Sequence, residues 1–101
     1  MALTPQSQLR LWLIQTLGDL GGSAERRLAL RAMAKAFQDQ FTDDDWRSPP
    51  KRPFESNWEN RTSFERGEMV REGLLLPMQK AGRGRWALTE RGWTLHRQVS
   101  R

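Results

Sequence analysis

The chain of 101 residues has no cysteine, no tyrosine and a single histidine. Without thiols it has no means of building a disulfide scaffold, a thiolate metal site or a cysteine nucleophile. Long hydrophobic runs are also missing. The longest stretch of large apolar side chains is Leu11 to Ile14, whereas a membrane span needs about 20 apolar residues. The opening Met-Ala-Leu-Thr-Pro-Gln carries neither a basic region nor an extended apolar segment, which argues against a signal peptide and for a cytoplasmic protein. What is present is 37% hydrophobic and 29% charged residues, with five Trp and four Phe. That is too apolar and aromatic for a disordered chain, and the length suits one domain of about 100 residues.

The charge is uneven. The net charge is +5, and residues 74–101 alone account for that excess: Lys80, Arg83, Arg85, Arg91, Arg97 and Arg101 stand against Glu90 only. Lysine is scarce, at positions 35, 51 and 80, so the other bases are all Arg. A localised, Arg-rich surface points to a polyanion, because guanidinium suits bidentate phosphate contacts.

The spacing of Leu9, Trp12, Leu13, Leu17 and Leu20 predicts a helix over 4–20, started near Thr4, Pro5 or Ser7 and stopped by Gly21-Gly22. A second helix over 23–38 is expected to be capped by Ser23, to bury Leu28, Met33, Ala36 and Phe37, and to expose Arg26, Arg27, Arg31 and Lys35. Thr42 followed by Asp43-Asp44-Asp45 reads as an N-cap feeding a single helical turn over 42–47, a full account of the acidic triplet without any metal. Three prolines among residues 48–53 predict an extended linker. Ser56 or Asn57 restarts a helix over 56–72, closed by Gly73. The apolar run from Leu74 and the alternation of Arg85-Trp86-Ala87-Leu88-Thr89 predict a hairpin over 74–89 with a basic tip, followed by a helix over 92–99.

Helix, helix, linker, helix, hairpin is the order of a winged helix-turn-helix: a mainly α domain with a small hairpin, α+β in class. In that fold the third main helix enters the major groove and the wing lies over the backbone or minor groove. Leu9, Trp12, Leu13, Leu17, Leu28, Met33, Phe37, Trp58, Met69, Leu74, Leu76, Trp86 and Leu88 are the expected core, and all five Trp read as structural.

The residues from Phe54 to Gly92 resemble the N-terminal domain of Mrr-type restriction proteins. The likeness rests on Trp58-Glu59-Asn60-Arg61 with Phe64, on Glu72-Gly73-Leu74-Leu75, and on Gly84-Arg85-Trp86-Ala87-Leu88-Thr89-Glu90-Arg91-Gly92. Leu17-Gly18 to Gly22-Ser23 and Phe41-Thr42-Asp43-Asp44-Asp45 extend it over most of the chain. The resemblance implies a winged helix that helps a nuclease engage its DNA target, often modified DNA. The chain departs from the family pattern at Glu65, where a small apolar residue is usual. It also has neither a Glu-x-Lys nor a Gln-x-Lys tripeptide of the kind such nucleases use to hold a metal. The expectation is therefore a non-enzymatic module without cofactor or metal.

The expected partner is double-stranded DNA, modified bases included, with a homodimer or a larger restriction-system partner compatible with it. The alternative is a protein-interaction winged helix, a small inhibitor or adaptor in a restriction or phage system. At 100° per residue the helix over 56–72 places Trp58, Arg61, Thr62, Phe64, Glu65, Met69 and Glu72 on one broad face, with Arg61 an internal anchor. Ser56, Glu59, Asn60, Ser63, Arg66, Gly67 and Val70 occupy the other, where Asn pairs with adenine and Ser or Arg reach phosphates or bases. Asn57, Asn60, Ser63 and Arg66 are the candidates on this helix. Lys51 and Arg52 precede it as phosphate clamps. Lys80, Arg83 and Arg85 form the wing tip, where Arg83 and Arg85, two apart on an extended arm, share a face opposite Trp86. His96 has no catalytic company in the sequence and reads as a surface or helix-end residue.

Overall fold

The computed structural model describes residues 2–99; Arg101, counted in the basic C-terminal quarter, lies outside them. The element order is α1 (Gln6–Asp19), β1 (Ser23–Glu25), α2 (Arg26–Phe37), a 3-10 turn (Gln38–Gln40), α3 (Asp43–Trp46), α4 (Asn57–Arg71), α5 (Met78–Ala81), β2 (Arg85–Ala87) and α6 (Glu90–Val99). The fold is mainly helical with one small antiparallel sheet, as expected, in an order consistent with a winged helix. Among the described residues no helix is long and apolar enough to cross a membrane.

α1 is the centre of the core. Leu9, Trp12, Leu13, Ile14 and Leu17 are buried on it, and α2, α4 and α6 all pack against it. Its apolar stripe is therefore covered from several sides and makes the helix the inside of the domain rather than one wall of it. Trp12 stacks on Phe37 with ring centroids 5.0 Å apart and meets Phe41 edge-on at 5.3 Å. Phe41 stacks in turn on Trp58 at 4.8 Å, joining α1, the end of α2 and α4 through one aromatic cluster.

The sheet differs most from expectation. β2 pairs with β1, in the register Ser23↔Ala87, Ala24↔Trp86, Glu25↔Arg85, and not with the apolar run that precedes it in sequence. The expected hairpin over 74–89 is reduced to a single bridge, Leu75↔Leu88. Pro77 has no N–H to continue a ladder, and the residues after it coil into the short α5 with Pro77 at its start. Pairing with β2 also shortens the second helix: Ser23 is a strand residue and not a cap, and α2 begins at Arg26. The turn of α2 differs in phase. Ala29, Leu30 and Met33 face inward, while Leu28 is 47% exposed and Ala36 is exposed, so neither belongs to the core. Leu75 is buried where Leu76 was expected to be, and Trp46 is 46% exposed, outside the set of buried Trp.

Element ends shift for local reasons. Pro5 is the cap residue of α1, and Thr4 is turned to other use. The linker over 48–53 is not extended: Arg52 N donates to Pro49 O at 3.0 Å and Glu55 N to Arg52 O at 3.2 Å. Pro50 and Pro53 each fall at the second position of such a turn, where a fixed φ favours it. α6 starts at Glu90, earlier than expected, because the Thr89 hydroxyl accepts from Gly92 N at 3.0 Å. Gly92 is fixed by close approach, since a Cβ there would lie 2.3 Å from the backbone oxygen of Leu74.

Asp45 is fully buried. Its carboxylate accepts from Thr4 N at 2.8 Å, from the Thr4 hydroxyl and from Thr42 N at 2.8 Å, while Asp45 N donates to Thr42 Oγ1 at 3.1 Å. The acidic triplet thus caps α3, as expected, and its last member also ties down the segment before α1. Burial pushes this carboxyl up, but the hydrogen bonds from Thr4 and Thr42 outweigh it and hold the group below its ordinary value. A depressed folded value makes the contribution full above the unfolded pKa of about 3.9 and lost as pH falls through the folded one. Asp45→Ala is expected to cost about 2–4 kcal/mol by stranding buried donors, and Asp45→Asn less. Urea titrations at pH 7 and at steps down to pH 2 check this, with the acid-side loss shallower in Asp45→Asn. Gly92→Ala is expected to destabilise by about 1–3 kcal/mol despite the better helix propensity of Ala, because backbone stands in the way; the thermal midpoint reads it.

Candidate nucleic-acid interface

α4 starts where Glu59 Oε1 reaches back to accept from Ser56 N at 2.9 Å and Ser56 Oγ at 2.8 Å, satisfying donors that a helix start leaves open. Its buried stripe is Trp58, Thr62, Glu65 and Met69. Phe64, expected on one broad face with Trp58 and Met69, lies about 130° from the centre of that stripe at helical spacing, and it is 67% exposed. The outward stripe is therefore Asn60, Phe64, Gly67 and Arg71, with Ser63 on its shoulder, and no atom lies within 4 Å of where a Gly67 Cβ would be.

Glu65 is buried with a reason. It accepts from Arg10 Nε at 2.6 Å and from Gln6 Nε2 at 3.1 Å. Arg10 then grips Glu72 in a bidentate pair at 2.8 and 2.6 Å. The Arg10 hydrogen bonds hold the Glu72 carboxyl below its usual value against some desolvation. Arg61 donates to Thr4 O, the internal anchor expected of it. These contacts fix the rotation of α4 on α1, and so decide which α4 side chains face out.

The candidates named from sequence fall into three groups. Lys51, Arg52, Lys80 and Arg83 are exposed, and among the described residues none of them makes an ion pair. Asn60, Ser63 and Arg66 are half-buried; Asn60 and Ser63 lie on or beside the outward stripe, whereas Arg66 falls about 70° from the centre of the buried one at helical spacing. Asn60 Nδ2 donates to Glu55 Oε1 at 3.0 Å, Ser63 Oγ accepts from Arg26, and the Arg66 Nε has no partner. Asn57 and Arg85 serve the fold. Asn57 Nδ2 donates to Asp44 O at 2.9 Å and fastens the start of α4 to α3. Arg85 lies across β1, donating from Nε and Nη2 to Ser23 Oγ at 3.3 and 3.1 Å. Arg85 therefore does not form with Arg83 a pair of free cations on one face, although Trp86 is buried opposite as expected. His96 sits on α6 with its ring against Gly18, 3.4 Å from Asp19, far from this surface in role.

Sequence reading missed α2. Arg26 joins three elements: its N–H donates to Gly84 O at 2.9 Å, its guanidinium donates to Ser63 Oγ at 2.9 Å and Glu55 Oε2 at 3.1 Å, and it lies 5.9 Å over the Trp86 ring. Arg27 and Arg31 are exposed beside it with no ion pair among the described residues. Arg26 and Glu55 line both of two adjoining grooves. One, of about 550 Å³, is completed by Arg52, Asn60, Ser63 and Phe64. The other, also about 550 Å³, runs between α2, α3 and α4. A slightly smaller hollow, of about 490 Å³ and lined also by Glu25, links Arg26 and Arg27 to Gly84 at the wing tip. The Arg26-Arg27 pair was visible in the sequence as an exposed face; what was not visible is the turn of β1 that sets it between wing and α4. Among the described residues no group of three His, Asp or Glu side chains is placed to hold a metal ion.

Arg26→Ala is expected to lower stability by about 1 kcal/mol, the scale of one partly exposed hydrogen-bonded ion pair. Amide shifts at Ser63, Glu55 and Trp86 should change together in ¹H–¹⁵N spectra, since one side chain connects them, while Gly84, held by the Arg26 backbone N–H, should keep its bond.

A model of the Mrr N-terminal domain matches residues 7–98. No curated protein and no solved structure matches the chain.

Proposed function

Because the chain belongs to the Mrr N-terminal domain family, we propose that it is a non-enzymatic DNA-binding module of a restriction system, reading double-stranded DNA with α4 and gripping the backbone with the wing and α2. The observation that supports this most is continuity. The outward stripe of α4, Arg52, Arg26, Arg27 and the tip at Gly84 adjoin one another through shared groove walls. A helix presenting Asn60, Ser63 and Phe64 fits a major groove, where Asn pairs with adenine and an apolar ring meets a pyrimidine methyl. Arg27, Arg52, Lys51, Lys80 and Arg83 flank it as sequence-independent phosphate contacts. The absence of Glu-x-Lys and Gln-x-Lys from the sequence supports binding without hydrolysis.

Fluorescence anisotropy with a labelled duplex at two salt concentrations tests the reading. Affinity should fall steeply with salt, by about 0.9 log units per log unit of salt for each phosphate neutralised. Arg83→Ala should weaken binding on every sequence and lower that slope by about one. Asn60→Ala should instead erode preference between sequences. Gly67→Ala separates folding from docking. It should raise stability by about 0.5–1 kcal/mol, since the site is open and Ala is the better helix former, while weakening DNA binding where the backbone approaches the helix. Salt-independent affinity, or none at low salt, sinks the proposal and favours the protein-interaction alternative.

A further inference from the structure

The groove between α2, α3 and α4 has aromatic walls that duplex backbone contacts leave unused. Trp46, 46% exposed, and Phe54, 83% exposed, are on its walls, with Leu30, Ala34 and the buried Trp58 also lining it. Phe54 presents a ring to water next to a turn that could have carried a polar residue at no cost to the core. Arg27 and Arg31 stand along the α2 side. On the α4 side is Glu59, whose Oε1 takes both bonds from Ser56 and whose other oxygen makes no hydrogen bond among the described residues. The indole Nε1 of Trp58 is buried and has no hydrogen-bond partner. Large rings, guanidiniums without ion pairs among the described residues and a free carboxylate oxygen, gathered in about 550 Å³, suit a planar, polar-edged group that carries a phosphate. That volume is within the range of about 300–1,000 Å³ usual for small-ligand sites.

Resting on the DNA-binding reading above, we propose that this groove accepts an unstacked base of the bound DNA: an unpaired or extruded nucleotide whose ring lies against Phe54 and Trp46 and whose flanking phosphates meet Arg27 and Arg31. Two features favour a base of the same DNA over an acidic peptide. The groove shares the Arg26–Glu55 wall with the Asn60–Ser63–Phe64 surface, so a nucleotide swung out of a duplex on α4 is next to it. The unpartnered cations on α2 also complement a phosphate on each side of the base. Stacking on aromatic rings tolerates any base and adds directly to affinity. Extrusion is cheapest where the base is already unpaired, so lesion-like or bulged sites are the class preferred.

The experiment compares a fully paired duplex with the same duplex carrying one bulged 2-aminopurine nucleotide, using wild type, Phe54→Ala and Arg27→Ala/Arg31→Ala. The exposure of these three side chains keeps the substitutions away from the core. Wild type should bind the bulged duplex about tenfold more tightly, with 2-aminopurine emission quenched below that of the free DNA. Phe54→Ala should lose the preference and the quenching while keeping its affinity for paired duplex. The double Arg variant should weaken the bulged complex more than the paired one. Paired duplex bound with no preference for the bulge, or a preference that Phe54→Ala retains, overturns the inference and leaves the DNA-binding proposal standing. Failure to bind either DNA overturns both. Phe54-dependent binding of an acidic aromatic peptide by a protein that binds neither DNA would assign the groove to a protein partner instead.

Discussion

Arg26 is the contact on which the surface shared by the wing, α2 and α4 depends. A single side chain at the first turn of α2 bonds to Ser63 on α4 and Glu55 before it and lies over Trp86 on β2, while its own amide takes the carbonyl of Gly84. Planar, multi-donor guanidinium can do this where an ammonium could not, because its N–H groups leave in fixed directions toward separate acceptors. The wing, the second helix and the outward face of α4 are thereby held as one surface, with the wing tip, which itself has little sheet behind it, anchored at its turn.

Beneath that surface the domain is organised around α1. A helix covered by α2, α4 and α6 leaves few rotations open to its neighbours, and polar pins remove the remainder. Arg10 with Glu65 and Glu72, Arg61 with Thr4, and Asp45 with Thr4 and Thr42 all join segments distant in sequence. Each is a charged group at or near a boundary with the core, and charge-assisted hydrogen bonds offset part of its desolvation. The buried Glu65 is the clearest case. Arg10 neutralises it, and the pair fixes the phase of α4 that turns Phe64 to solvent.

That phase matters because it decides which side chains the proposed interface presents. A rotation of one residue would exchange Phe64 for Glu65 and close the open surface at Gly67. The grooves on either side of the Arg26–Glu55 wall then differ in character: one is lined by Asn60, Ser63 and Phe64 of α4 with Arg52, the other by Trp46, Phe54 and the α2 guanidiniums. The first suits base edges and phosphates in a duplex, the second a flat group taken out of one.

Sequence by itself determined the helical class, the positions of α1, α3 and α4, the capping role of Asp43-Asp44-Asp45, the membership carried by the Trp58 and Gly84–Gly92 segments, and the basic C-terminal quarter. These are properties of spacing, caps and composition, and they are local. Tertiary structure decided what depends on partners far away in the chain. β2 found β1 instead of its sequence neighbour because Pro77 broke the nearer ladder, and that pairing converted the expected cap Ser23 into a strand residue holding Arg85. Packing on α1 chose which side of α2 and α4 went inside, exposing Leu28 and Phe64 and burying Leu30 and Glu65. Periodicity defines a stripe but a mixed helix offers several, and only the neighbouring surfaces, through the area they cover and the polar partners they supply, select one.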